Sequence, residues 1–216
     1  MNLVTVQVNE LIASQIWKAE YFQHHSAAPK DREKYKSLRE LVSQRKESFD
    51  PKKATKAPSI YVGLEDIEPI VGLIKRTNES EVEVKSVSKR FYKGDILFGR
   101  LRPTLNKILY VDALDDEFGV CSNEFIVLTP NLELVEPLYL RTILSTSEVQ
   151  EVIKKYQSGS TLPRIYADDL LDIDILLPSM SEQKKIVDRM ADLTNEYTKA
   201  SSALERIRSE ILESKL

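Results

Sequence analysis

The chain has 216 residues, 42% of them hydrophobic and 30% charged, which supports one or two domains with real apolar cores and excludes a disordered or fibrous chain. Its 31 basic side chains against 34 acidic ones give a formal net charge of −3. That excludes a uniformly basic nucleic-acid coat but not a protein with one basic face.

In chain order, Leu3 to Val8 alternates apolar and polar residues and predicts a short strand or a docking segment. LIASQIWKAEYF follows, with Leu11, Ile12, Ile16 and Trp17 at helix-like spacing. Residues 23–36 are polar, contain Pro29, and read as a loop running into a helix over EKYKSLRELVSQRK. That helix would carry Tyr35, Leu38, Leu41 and Val42 on one side and end at Asp50-Pro51. From Ile60 to Leu128 the runs YVGLEDIEPIVGLI, EVEVKSV, DILFGRL, NKILYV and NEFIVLT predict a mainly β region. Gly63, Gly72, Gly94, Gly99 and Gly119 fall at its turns or at points of close backbone approach. LYLRTILSTSEVQEVIKKY then predicts a helix with Leu140, Ile143, Leu144, Val149 and Ile153 buried. A glycine-centred loop, a helical turn near Ala167 to Leu170 and a strand ending at Pro178 complete the body.

The last segment carries the clearest pattern. Ile186, Met190, Leu193, Tyr197, Ala200, Leu204, Ile207 and Ile211 alternate spacings of four and three, an uninterrupted heptad seam. Ser179 and Glu182 have capping-box spacing behind Pro178. A helix from Ser179 to Ser214 would be roughly 50 Å long and project from a domain of this size. The boundary therefore falls at 178/179, with a globular domain over 1–178 and a spacer or pairing helix over 179–216.

Charge is divided along the chain. Residues 85–107 carry seven basic side chains (Lys85, Lys89, Arg90, Lys93, Arg100, Arg102, Lys107) against Asp95 alone. Residues 30–56 hold ten basic and five acidic residues, and residues 108–151 one basic and nine acidic. Such a molecule can show nucleic acid a positive face, with phosphate contacts setting affinity and base-edge contacts setting specificity. A solvated β-surface with chance clustering is the alternative.

Signals for catalysis are weak. Glu83-Val84-Lys85, with Asp66 upstream, has the E-x-K spacing of metal-dependent nucleases, and reads as naturally as the wet face of a strand. His24 and His25 lie in a polar segment, and Asp172 and Asp174 have no histidine or third acid nearby in sequence. The lone Cys121 excludes a disulfide scaffold and a four-cysteine zinc site. No phosphate loop, dinucleotide fingerprint or H-E-x-x-H pattern occurs. No apolar run approaches a membrane span, and MNLVTVQVNE does not read as a secretory signal, so a cytoplasmic, non-membrane protein without cofactor or metal is expected.

Four stretches in order, YVGLEDIEPIVG at 61–72, FYKGDILFGRLRPTLNKI at 91–108, CSNEFIVLTP at 121–130 and QSGSTLPRIYADDLLDIDILLPSMSEQKKIVDRM at 157–190, resemble the DNA-specificity subunit of type I restriction–modification systems. AEYF at 19–22 is similar to that family's N-terminal segment. The resemblance implies an α+β fold: a mainly β target recognition domain with peripheral helices, followed by a long C-terminal coiled-coil helix. It implies a non-catalytic subunit that directs adenine methyltransferase subunits, and in a full complex a restriction subunit, to a bipartite site on double-stranded DNA. Carried onto this chain, Lys89, Arg90, Lys93, Arg100, Arg102, Asn106 and Lys107 would approach DNA, with Ser160, Thr161 and Arg164 as a second DNA-facing loop. Asn106 has the amide that suits adenine, while turn formation accounts for it equally well. The family often has Tyr where this chain has Thr104, so no aromatic wedge is expected there. One recognition domain and one rod where the family pairs two of each imply an antiparallel homodimer reading an interrupted palindrome. Against this stand the nuclease built on Asp66, Glu83 and Lys85, and a coiled-coil interaction module without DNA affinity. A further alternative is the same recognition domain serving a different DNA-modifying partner.

Overall fold

The computed structural model describes residues 32–75, 84–114 and 117–213. The readings at Leu3–Val8, LIASQIWKAEYF, His24, His25 and Glu83 lie outside them. In chain order the elements are β1 (Tyr35–Ser37), α1 (Leu38–Leu41), β2 (Val42–Arg45), β3 (Ser48–Phe49), β4 (Tyr61–Val62), β5 (Ser88–Phe91), β6 (Ile96–Gly99) and β7 (Ile108–Tyr110). Then come β8 (Gly119–Cys121), β9 (Phe125–Pro130), α2 (Pro137–Leu144), α3 (Ser147–Tyr156), α4 (Ala167–Leu171), β10 (Asp174–Leu176) and α5 (Met180–Glu213).

Two four-stranded sheets organise the body. One runs in the order β2-β9-β6-β7 and is antiparallel throughout. The other runs β3-β5-β8-β4, with β4 parallel to β8. Side chains alternate faces along a strand, and the first sheet buries both faces. Ile96, Phe98, Ile108, Ile126 and Leu128 point into a core shared with the helices. Leu97, Leu109, Phe125 and Val127 point the other way, against Val62, Phe91 and Cys121 of the second sheet. A strand buried on both sides reads as an unbroken apolar run, which is why DILFGRL shows no polar alternation. In β8 a side chain at Gly119 would run into the Phe91 ring, so glycine there permits the close approach.

Three expectations about local structure are corrected. EKYKSLRELVSQRK does not form one helix. Tyr35–Ser37 pairs with Asp174–Leu176, Val42–Arg45 pairs with β9, and only the single turn α1 lies between them. Strand partners far along the chain outcompete a 3.6-residue period only a few turns long. The helix expected over 138–156 is two helices broken at Ser145–Thr146. There the Ser145 and Thr146 hydroxyls donate back to the carbonyls of Arg141 and Ile143, and Thr146 caps α3 by accepting from the Val149 N–H. The described part of EVEVKSV, Val84–Val87, is not in a strand, and β5 begins at Ser88.

The long helix is present over Met180–Glu213, about 50 Å of rod. Ser179 and Glu182 form the capping box: the Ser179 N–H donates to the Glu182 carboxylate at 3.0 Å, and the Glu182 N–H to Ser179 Oγ at 3.4 Å. The rod is anchored at its root. Gln183 is buried; its carbonyl accepts from the Glu136 N–H at 2.8 Å, and its amide donates to Pro178 O at 2.9 Å and to Leu134 O at 3.4 Å. Val187 packs on the helical core, and the Tyr197 hydroxyl meets Glu68 at 3.4 Å. Among the described residues, no helix is long and apolar enough to cross a membrane.

Candidate nucleic-acid interface

The two loops expected to face DNA are brought together. Residues Leu101 to Lys107 follow β6, and Ser158 to Arg164 closes as a small loop by reciprocal backbone bonds of 2.8 and 2.9 Å across Gly159, which has φ +97°. The loops are stitched by an isolated bridge between Leu101 and Arg164, by Ile165 N–H to Arg100 O at 3.1 Å and by Arg102 N–H to Pro163 O at 2.7 Å. Ser160, Thr161, Leu162, Arg102, Thr104 and Leu105 stand exposed on this joined surface.

Behind it lies a cluster of charges. Arg164 holds Glu124 with bonds of 2.7 to 3.2 Å from Nη2 and Nε. Arg100 lies over the exposed Tyr166 ring, 5.5 Å from its centroid, and its Nε is buried with no acceptor among the described residues. Lys89 donates from Nζ to Phe125 O, and desolvation pushes its pKa down, with the Arg100 charge acting the same way. The Arg164 guanidinium bonded to Glu124 holds that carboxyl below the usual value against partial burial, helped by the charges of Arg100 and Lys89. Three cations against one carboxylate leave the cluster positive after its internal pairing, and Arg102 adds to it on the surface.

The remaining candidates are dispersed. Arg90 points to the opposite face of β5 from Lys89, with its guanidinium 4.4 Å over the Phe118 ring. Lys93 is exposed at the turn before β6. That turn is fixed by buried Asp95, which accepts from Arg45 at 2.8 Å, Thr129 at 2.7 Å and the Tyr92 N–H at 2.9 Å. Lys107 donates to Leu64 O at 2.6 Å. Asn106 is buried in the left-handed region, φ 52°, with its amide on Ser145 O at 2.7 Å. Arg102 (φ 46°) and Ile70 (φ 67°) share that unusual backbone, and the Ile70 N–H donates to Asn106 O at 2.9 Å. Buried Arg141, lowered to about 10 by desolvation, ties Ile70 O to Ile108 O and fits against Gly72, where a side chain would collide with it. Strain of this kind persists only where the surroundings over-determine it, so the Arg102–Lys107 loop is a rigid presenter.

Of the nuclease candidates, Asp66 accepts the Gly63 N–H at 2.6 Å and Lys85 is exposed, while Glu83 lies outside the described residues. Among the described residues no group of three His, Cys, Asp or Glu side chains is arranged to hold a metal. Cys121 is buried, and desolvation raises its thiol to about 12. Sequence reasoning missed Glu124, Tyr166 and Gln183. Glu124 gave no local signal. Tyr166 stands two residues beyond Arg164, the spacing that puts both on one side of an extended chain. Gln183 is the polar residue at the heptad position just before Ile186.

A strand-built body that presents joined basic loops and carries a long C-terminal helix fits a DNA-recognition protein. The family model for the type I restriction modification DNA specificity domain matches residues 29–206, and the chain belongs to that family. It is 32% identical over 132 residues to the type I restriction enzyme HindI specificity subunit of Haemophilus influenzae, covering 58% of this chain and 28% of that protein. It is 28% identical over 110 residues to the EcoDI specificity subunit of Escherichia coli, covering 51% and 23%. Among solved structures it resembles the HsdS subunit of Thermoanaerobacter tengcongensis, with a TM-score of 0.63 and 25% identity over 77% of this chain and 43% of that one. A chain from a study of complex assembly in the type I R-M system matches with a TM-score of 0.62 and 26% identity, covering 82% and 44%. The chain thus matches about a quarter of the length of the two named specificity subunits and somewhat under half of the two solved chains.

Proposed function

We propose that this chain reads one half of a bipartite target on double-stranded DNA and directs adenine methyltransferase subunits to it, with no catalysis of its own. Residues 1–178 serve as the target recognition domain and 179–216 as the spacer helix. The observation that carries this reading is the joining of the Leu101–Lys107 and Ser158–Arg164 loops over the Lys89–Arg100–Arg164 cluster. Arg100, Arg102 and Arg164, with Ser160 and Thr161 at the loop tip, are the contacts on DNA. Arg100 suits phosphate: it is held over Tyr166 and its buried Nε lacks an acceptor among the described residues, so an anion satisfies a donor that otherwise costs stability. Lys89, Lys107 and Asn106 support the loops from behind, and Arg90 and Lys93 extend the positive field. A restriction subunit joins when the complete complex forms.

Co-expression with the methyltransferase subunit, followed by mapping of methylated adenines, tests this. The expected outcome is modification at one defined sequence, abolished when the chain is omitted and reduced at least tenfold by Arg100→Ala with Arg102→Ala. Methylation at the same sites without the chain contradicts the proposal.

A further inference from the structure

The joined loops carry two leucines that the fold leaves uncovered. Leu105 is 48% exposed and Leu162 46%, while Ile108 and Ile165, a few residues further along the same two segments, are buried. We infer that Leu105 and Leu162 form an apolar contact for the C5-methyl group of thymine, so that these loops read an A·T pair of the half-site from the major groove. The inference rests on the DNA-recognition reading, and it goes further by naming a base feature and the side chains that meet it.

Backbone geometry makes the two leucines parts of one surface. Arg102 bonds toward both: its N–H donates to Pro163 O at 2.7 Å, next to Leu162, and its carbonyl accepts the Leu105 N–H at 2.8 Å. Each leucine is also held in place. Leu105 ends the single helical turn Pro103–Leu105, which lies between two left-handed residues, Arg102 and Asn106. The Asn106 amide anchors that turn on Ser145 O. Leu162 precedes Pro163, which restricts its backbone, and its carbonyl accepts from Arg164 Nη1 at 3.3 Å. Single exposed leucines scattered over a surface need no explanation. These two stand on pinned loops that meet at one residue, and a preorganised loop loses little further freedom when a ligand covers it.

The surroundings select nucleic acid as the cover. Residues 99–107 and 157–166 contain no acidic side chain, and Arg100, Arg102, Lys107 and Arg164 lie within them. Thr104, Ser160 and Thr161 add exposed hydroxyls to the same surface. Phosphates suit the cations, but they offer nothing to a leucine. Among the base edges of the major groove the apolar group is the thymine methyl, whereas the minor groove presents A·T and T·A through the same polar acceptors. Burying that methyl against leucine removes apolar surface of both partners from water. The hydroxyls beside it suit the polar base edges.

Uracil lacks only that methyl group, which allows a test on the native chain. Double-stranded DNA enriched from a random pool by the full chain is amplified with dTTP or with dUTP, and binding of the two products is compared. The expected result is a loss of affinity of about fourfold in the uracil duplex for each contacted methyl group. Single thymine-to-uracil replacements should place the loss at defined positions in the half-site. Leu105→Ala combined with Leu162→Ala should bind the thymine duplex more weakly and bind both duplexes equally, while Arg102→Ala keeps the difference. Equal affinity of the native chain for both duplexes overturns the inference. That is the result expected if the leucines dock a protein, or wedge between base steps from the minor groove. A half-site without an A·T pair overturns it too, as does a uracil penalty that survives in the double variant, which would come from DNA deformability. Sequence-selective binding with any of these results leaves the recognition reading standing. Absence of sequence-selective binding to either duplex defeats that reading and this inference with it.

Discussion

Glu124 sits where three positive side chains meet, and its ionisation couples local order to pH. Because its pKa is held below the ordinary 4.5 by the Arg164 bond, the stabilisation it gives is complete above that value. It is lost as pH falls through the lower, folded pKa. Glu124→Gln should therefore be less stable than the native chain by a constant margin from about pH 7 down to about pH 5.5, with the margin shrinking as pH falls below about 4.5. Urea denaturation across that range measures it, and a margin that does not shrink as pH falls below about 4.5 contradicts the assignment. The same substitution frees Arg164 and removes a negative charge from the loops. Asp95 shows the contrasting use of a carboxylate: buried and saturated by Arg45, Thr129 and the Tyr92 N–H, it fixes a turn and is not available to a ligand.

The joined loops act as one surface element because backbone bonds join them to each other. Arg100→Ala and Arg102→Ala should accordingly weaken DNA binding without lowering thermal stability by more than a degree or so. Each should lower the slope of log K against log salt by about one, the mark of a lost phosphate contact. Binding isotherms at several salt concentrations read this directly, and an unchanged slope would remove the residue from the interface. Sequence patterns anticipated β6, β7, β9 and the rod, since glycine-bounded apolar runs and heptads are local signals. The bridge between Leu101 and Arg164 was not legible, because it joins residues 63 positions apart through a fold that no local period encodes. For the same reason 33–46 read as a helix: its partners, β9 and β10, arrive only with tertiary pairing. The basic run 85–107 proved divided, since neighbours on β5 face opposite ways and the Asn106 and Lys107 side chains bond to carbonyls of the fold.

At the scale of the whole molecule, the body and the rod are joined at buried Gln183, and on the proposed function that joint would turn DNA recognition into measurement. The root fixes the direction of the helix; pairing of two chains along their apolar stripes, as the family resemblance implies, would set the distance and twofold relation between two recognition surfaces. Two identical surfaces related by a twofold axis demand inverted half-sites separated by a constant number of base pairs. Repeated selection of random double-stranded DNA with the purified full chain tests this most directly. The account predicts enrichment of an interrupted palindrome, two inverted half-sites around a spacer of one fixed length. Enrichment of a single asymmetric site, of half-sites at variable spacing, or of no sequence at all would contradict it.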